Sequence, residues 1–278
     1  MKKLVLNSPA KINFGLNIIK KREDGFHNLE TFFYPINDLC DRITFEKSDH
    51  FIFDSNNIDL IKDPSNLIQM AHSQIEYYVK KKINVKIHLE KNIPIGAGLG
   101  GGSSNAASTL LGLNEMFELN IKEEKLFEIA LSLGSDVPFF IKSKPAVGTS
   151  RGEILKSCEI YIDKPIVIIN PGIHISTKDA FSNIIPKKSE FNYNYFLQNE
   201  SIDFEYLKNN LKNDFEEYVF SVFPEIGNIK KKFYANGSFF SLMSGTGSTV
   251  YGLFNDLTSA QKVLNLFTNN NFSFISNI

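Results

Sequence analysis

Pro94-Ile95-Gly96-Ala97-Gly98-Leu99-Gly100-Gly101-Gly102-Ser103-Ser104 carries five glycines within the nine residues 96–104. Just upstream, Val85, Ile87 and Leu89 alternate with polar residues, the period of a half-buried strand. Just downstream, Asn105-Ala106-Ala107-Ser108-Thr109-Leu110-Leu111 favours a helix. The glycine run therefore joins a strand to a helix. Glycine backbone can take positive φ and approach a ligand closely, and successive N–H groups at a helix start offer donors and partial positive charge to a polyphosphate. Ser103 and Ser104 add hydroxyls that suit phosphate or Mg²⁺. A flexible linker is the plain alternative, but linkers are seldom flanked by a buried strand and an apolar helix. Two familiar phosphate loops do not fit. No lysine stands inside the run, as a Gly-Lys-Ser/Thr loop requires, and the strands before it read as an antiparallel set rather than a parallel dinucleotide-binding unit.

Moving outward, Ile12, Phe14, Leu16 and Ile18 alternate as a strand, and further strands are predicted near Thr31–Pro35, Ile43–Phe45 and Phe51–Phe53. Leu67, Ile68, Ala71, Ile75 and Val79 keep helical spacing behind Ser65 as a cap, and a second helix is predicted from Lys122 to Leu133 with Gly134 as its stop. A turn-rich patch at 145–152 marks the expected domain boundary. Beyond it, strands are predicted at Ile154–Tyr161, Pro165–Ile169, Phe239–Met243 and Thr249–Phe254. Helices are predicted at Phe204–Leu211, Phe215–Val222, Ile226–Tyr234 and Ser259–Phe267. The class is α+β, with one domain over 1–152 and a second over 153–278.

Thirty basic against 31 acidic residues leave no standing attraction to nucleic acid or a membrane surface, so a bound anion must be held locally. Cys40 and Cys158 match no metal-ligand spacing and read as reduced thiols. The apolar run at the start breaks at Asn7, so it reads as a strand and not a leader, and a cytoplasmic location is expected. Gly245-Thr246-Gly247-Ser248 is a second small-residue loop, for which an ordinary hairpin turn is an equal reading. Lys11, His27 and Asp136 each read, taken singly, as a surface lysine, a surface histidine and a turn or helix-cap aspartate.

Together these segments carry more. Pro9-Ala10-Lys11-Ile12-Asn13, then 94–104, then Ser244-Gly245-Thr246-Gly247 resemble the three signature segments of the GHMP kinase superfamily. Asp24-Gly25-Phe26-His27-Asn28-Leu29-Glu30-Thr31, Gly134-Ser135-Asp136-Val137-Pro138-Phe139-Phe140 and Pro171-Gly172 leading to Thr177 and Phe181 resemble one branch of it. That branch phosphorylates the 2-hydroxyl of a cytidine-diphosphate-linked methylerythritol on the non-mevalonate route to isoprenoid precursors. The resemblance departs at Phe26, where relatives commonly have tyrosine, and at Ser135, where they commonly have alanine.

The resemblance implies a two-domain GHMP kinase fold with mostly antiparallel sheets and a catalytic cleft between the domains, using ATP and Mg²⁺. It implies Lys11 and Asp136 as the catalytic pair. Pro94, Ile95, Gly96, Ala97, Gly98, Leu99, Gly100, Gly101, Gly102, Ser103 and Ser104 would cradle the phosphates, with Asn66 and Leu67 near the adenine. Asn13, Phe26, His27, Thr177, Phe181, Gly245 and Thr246 would hold the alcohol substrate, His27 and Phe181 reading the cytosine. No acidic metal ligand is named. The expected partner is a small cytidine-diphosphate-linked molecule, with neither nucleic acid nor membrane, and the chain is expected to be a monomer or weak homodimer. Another GHMP kinase, or an inactive relative that binds a ligand, is the alternative.

Overall fold

The computed structural model describes residues 3–267 and 271–277. Two long strands, β1 (Lys3–Lys21) and β2 (His27–Lys47), pair with each other and run through both of the chain's compact units. One unit comprises Met1–Ala10, Leu39–Ile95 and Gly100–Ser143; the other comprises Lys11–Asp38, Gly96–Leu99 and Lys144–Ile278. The units therefore interleave along the chain.

In the first unit the far half of β2 pairs antiparallel with β4 (Val85–Glu90), which pairs parallel with β3 (Ile52–Ser55). The antiparallel set expected before the glycine run thus holds for β2 and β4 but not for β3 and β4. A parallel pair needs a long crossover, and the helices Ile58–Lys62 and Leu67–Val79 supply it. On β4, Val85, Ile87 and Leu89 are buried while Lys86, His88 and Glu90 are half-exposed, the alternation legible in the sequence. Helix Leu67–Val79 begins at the predicted residue, but its cap is Asn66, whose Oδ1 accepts from Ile68 N; Ser65 is bonded instead to the Asp63 carboxylate. Helix Gly101–Met116 packs against Leu67–Val79, Glu123–Leu133 and Val137–Lys142. Gly134 ends its helix as expected, its N–H donating to Ala130 O at 3.2 Å.

In the second unit Thr31, Phe32 and Phe33 of β2 pair antiparallel with β5 (Ala146–Thr149), which pairs with β6 (Ile154–Ser157). The patch at 145–152 is therefore a strand and hairpin, not a connecting segment. Its small residues make room: a Cβ on Gly148 would lie 2.6 Å from the Phe33 ring. A four-stranded antiparallel sheet follows, ordered β10-β7-β9-β8, from β7 (Ile166–Asn170), β8 (Phe240–Met243), β9 (Val250–Leu253) and β10 (Phe272–Ser276). β10 is an edge strand that the sequence reading missed. Val167, Ile169, Phe215, Ile226, Phe233, Val250 and Phe254 form the core of this unit.

The mixed α/β architecture with mostly antiparallel sheets agrees with the expected class. Among the described residues no helix is long and apolar enough to cross a membrane. In the first unit Gly112 faces Phe45 so closely that a Cβ would lie 2.5 Å from the ring. Gly112→Ala is therefore expected to overpack the interior and lower stability by about 1–3 kcal/mol, read as a lower denaturant midpoint with the slope unchanged.

Candidate active site

In the second unit β1 delivers Lys11 and Asn13 to the glycine run and to the loop after β8. Lys11, which a lone reading places at the surface, is 3% exposed. Its N–H donates to Leu99 O at 2.9 Å, and its Nζ lies 2.5 Å from Asn13 Oδ1, 3.3 Å from Gly98 O and 5.5 Å from the Phe33 ring centre. Asn13 N–H donates to Ser244 Oγ at 3.2 Å, and Asn13 Nδ2 donates to Thr31 Oγ1 at 2.9 Å. Ser244 Oγ in turn donates to Gly98 O at 2.8 Å. A lysine, an asparagine and two loops from distant parts of the sequence thus meet around one carbonyl.

Gly98 takes φ +76°, and a Cβ there would lie 2.2 Å from Ser244 O. Gly96 and Gly100 also take positive φ, +64° and +71°. Alternation of left-handed glycines with ordinary residues turns successive N–H groups toward a common point, the geometry that binds anions. Exposure follows the same rhythm: Ile95, Gly96 and Gly102 are exposed, while Ala97, Leu99, Gly101 and Ser104 are buried. In the loop after β8, Gly245 has φ +58° and its carbonyl accepts from Asn213 Nδ2 at 2.8 Å, leaving Thr246 half-exposed.

In the first unit the helix after the glycine run starts at Gly101, four residues earlier than its apolar pattern suggests. Its first-turn N–H groups, Gly101 to Ser103, have no acceptor within the helix, as at every helix start. Ser103 is half-exposed, whereas Ser104 is fully buried and its hydroxyl accepts from Ser8 Oγ at 2.8 Å. Leu67 Cδ1 lies 3.8 Å from where a Gly102 Cβ would stand, so Leu67 borders the glycine run. The Asn66 side chain caps the helix Leu67–Val79 and donates to Leu60 O. Asp136 heads the helix Val137–Lys142, half-exposed, with its carboxylate not used as a cap. Among the described residues no group of three or more His, Cys, Asp or Glu could hold a metal ion.

The aromatic residues gather in the second unit. His27 stacks on Phe181, ring centres 4.9 Å apart and planes 29° from parallel, and Phe181 meets Phe215 edge-on. A flat base between two rings needs about 7 Å, twice a carbon contact distance, so a base between His27 and Phe181 must part them. Burial, with Lys21 nearby, lowers the His27 pKa below its ordinary 6.5, which favours the neutral ring at pH 7. Phe26 is 47% exposed, with the Arg151 guanidinium 3.7 Å above its ring. Thr177 is exposed at the start of the helix Thr177–Ser182, which Ser176 caps.

The family model described as GHMP kinases N terminal domain matches residues 66–144, and that described as GHMP kinases C terminal matches 197–272. A protein named 4-diphosphocytidyl-2-C-methyl-D-erythritol kinase from Chlorobium phaeobacteroides is 40% identical over 272 residues, covering 96% of this chain and 94% of its own. The chain belongs to the 4-diphosphocytidyl-2-C-methyl-D-erythritol kinase family of GHMP kinases. A similarly named protein from Thermodesulfovibrio yellowstonii is 38% identical over 266 residues, covering 93% of this chain and 92% of its own. A crystal structure titled as 4-(cytidine 5'-diphospho)-2C-methyl-D-erythritol kinase superposes with a TM-score of 0.80 at 30% identity, covering 98% of both chains. Homoserine kinase from Cytophaga hutchinsonii, at 16% identity and a TM-score of 0.76, shares the fold.

Within this GHMP kinase, one residue beside the glycine run escaped the sequence reading. His174 Nδ1 lies 3.2 Å from where a Gly96 Cβ would stand. Ser248 Oγ donates to Ile173 O at 2.7 Å, and Asn170 Nδ2 donates to Ser248 Oγ, which hold the His174 loop. A histidine in a loop between a strand and a short helix carries no pattern of its own, so only its neighbours reveal it. Gly98→Ala combines positive φ with a 2.2 Å clash. It is expected to cost about 1–3 kcal/mol of stability and to weaken nucleotide binding, checked by a denaturant midpoint and a nucleotide titration.

Proposed function

We propose that this GHMP kinase transfers the γ-phosphoryl group of ATP to the 2-hydroxyl of 4-diphosphocytidyl-2-C-methyl-D-erythritol, in the non-mevalonate route to isoprenoid precursors. The observation that carries this reading is 40% identity across 96% of the chain to a relative of that name, with the left-handed glycines at 96, 98 and 100 to receive phosphate. Phosphoryl transfer depends on positioning and charge neutralisation rather than on a covalent enzyme intermediate. The run 94–104 cradles the β- and γ-phosphates with the free backbone N–H groups it offers, Ser103 adding a hydroxyl, while Asn66 and Leu67 border the adenine. Mg²⁺ would supply charge neutralisation on the phosphates, and the half-exposed Ser103 hydroxyl, an oxygen donor of the kind a hard cation takes, would help to hold it.

Asp136 accepts the proton of the substrate hydroxyl, and Lys11 stabilises the charge that develops there. Asn13, Thr177, Gly245 and Thr246 support the sugar and diphosphate end. His27 hydrogen-bonds the cytosine edge, and Phe181 and Phe26 offer ring faces to the base, Phe26 without the hydroxyl that tyrosine would add. In this reading residues 1–152 bind ATP and 153–278 complete the GHMP kinase fold, and the enzyme works in the cytoplasm.

ADP release by the purified protein with Mg²⁺ is expected to be rapid with 4-diphosphocytidyl-2-C-methyl-D-erythritol and negligible with homoserine, mevalonate or galactose; turnover of another alcohol alone would replace the substrate. Asp136→Asn is expected to cut kcat by roughly 100-fold or more with ATP affinity nearly unchanged, and full turnover would remove Asp136 from the role of base. For His27, whose pKa burial lowers from the ordinary 6.5, substrate KM is expected to rise as pH falls through the lowered value and to level off at higher pH. The sign follows because the neutral ring is the form read as binding the base, so protonation of His27 in the free enzyme competes with substrate and that competition fades as pH rises. His27→Ala is expected to raise that KM at every pH and abolish its pH dependence, with ATP affinity little changed.

A further inference from the structure

Behind the glycine run in the first unit lies a carboxylate that the proposed reaction does not use. Asp41, on β2, has no exposed surface, yet it accepts four hydrogen bonds. Asn92 N–H and Ile93 N–H reach its Oδ1 at 2.7 and 2.8 Å, and Lys91 Nζ and Asn105 Nδ2 reach its Oδ2 at 2.5 and 2.9 Å. The chain of bonds continues. Lys91 Nζ also donates to Ile93 O at 2.7 Å, Asn105 Nδ2 donates to Ser8 Oγ at 3.0 Å, and Ser8 Oγ donates to Ser104 Oγ at 2.8 Å. Asn92 and Ile93 stand immediately before Pro94, while Ser104 and Asn105 stand one turn into the following helix. One carboxylate therefore grips both ends of the run. Gly101 shares the clamp: a Cβ there would lie 3.0 Å from Lys91 Nζ and from Ile93 Cγ2.

We propose that Asp41 is a positioning residue for nucleotide binding, holding the two ends of residues 94–104 at the spacing that lets their N–H groups converge on the phosphates. The idea rests on the reading of that run as the ATP phosphate loop. A glycine-rich loop is entropically the costliest kind to order, so fixing both ends beforehand removes ordering cost from the binding step. A buried carboxylate with four donors is well suited to that task, because charge-assisted bonds resist displacement and a neutral side chain of the same shape cannot accept as strongly. Asp41 touches no substrate in this scheme; it acts through Ile93, Asn105 and Ser104.

The test titrates the full-length protein with Mg·AMP-PNP and, separately, with CDP, alongside thermal unfolding. Asp41→Asn is expected to weaken Mg·AMP-PNP binding roughly tenfold or more, the scale of a lost charge-assisted hydrogen bond, with CDP affinity within about twofold of wild type. Asp41→Asn combined with Lys91→Met removes the lone buried cation, so Tm is expected to recover while Mg·AMP-PNP affinity stays low. Ser8→Ala keeps the ion pair and removes the hydroxyl that accepts from Asn105 Nδ2 and donates to Ser104, with a roughly threefold weakening expected; with the double variant it carries the test if Asp41→Asn does not fold. Unchanged Mg·AMP-PNP affinity in these variants, or affinity that returns in step with Tm in the double variant, would overturn the proposal. Wild-type protein that binds Mg·AMP-PNP but does not turn over the cytidine alcohol would sink the substrate reading and leave this test intact, while wild-type protein that binds no nucleotide would sink both.

Discussion

At Gly98 the backbone passes through a space that no side chain can share. A Cβ would lie 2.2 Å from Ser244 O, and the Gly98 carbonyl receives both Ser244 Oγ and Lys11 Nζ. Steric exclusion of this kind is absolute where a weak contact is negotiable, so the loop after β8 and the glycine run share one position. Lys11 and Asn13 depend on it in turn, because the Lys11 side chain donates to Gly98 O and the Asn13 backbone N–H donates to Ser244 Oγ, groups that this approach brings together. A buried lysine without such partners would be costly.

The same contrast separates the two loops from their surroundings. In the second unit strands β7 and β9 are buried along their length and packed by the apolar faces of helices, which gives a rigid frame for an irregular loop. In the first unit the frame is polar: the Asp41 carboxylate, the Lys91 ammonium and Asn105 do the work that packing does elsewhere. Burial pushes the Lys91 pKa down and Asp41 opposes that shift, so each ion is tolerable only because the other is present. Phosphate binding needs many free N–H groups in one place, and such a segment forgoes the N–H bonds that would otherwise hold it. Rigidity must come from its flanks.

Periodicity made much of the fold legible. Leu67–Val79 and Phe215–Val222 fall on the predicted residues, and β4, β8 and β9 fall within a residue or two, because each buries one face or both and so repeats its pattern over several positions. The failures share a cause. The strand Ala146–Thr149 reads as turn because it is small-residue-rich, and its smallness answers to Phe33 on a partner strand. β10 is short and half-exposed, and its register depends on β7. Ser65 and Asn66 are both good caps, and only Asp63, which engages Ser65, left Asn66 to serve.

The sequence alone determined that a five-glycine run joins a strand to a helix, that the run suits a polyphosphate, and that its companion segments match a kinase family. These are local facts, since glycine content and apolar period are written residue by residue. Tertiary structure decided which groups stand beside the run. Lys11 is buried against Gly98 O, Ser104 is turned inward to Ser8 while Ser103 remains half-exposed, His174 lies against Gly96, and Asp41 grips the flanks from a strand more than fifty residues upstream. Lys11 and Ser104 lie in signature segments, but none of these placements is written in the sequence, because a buried polar side chain is defined by the partners that satisfy it, and those partners are neighbours only after the chain has folded.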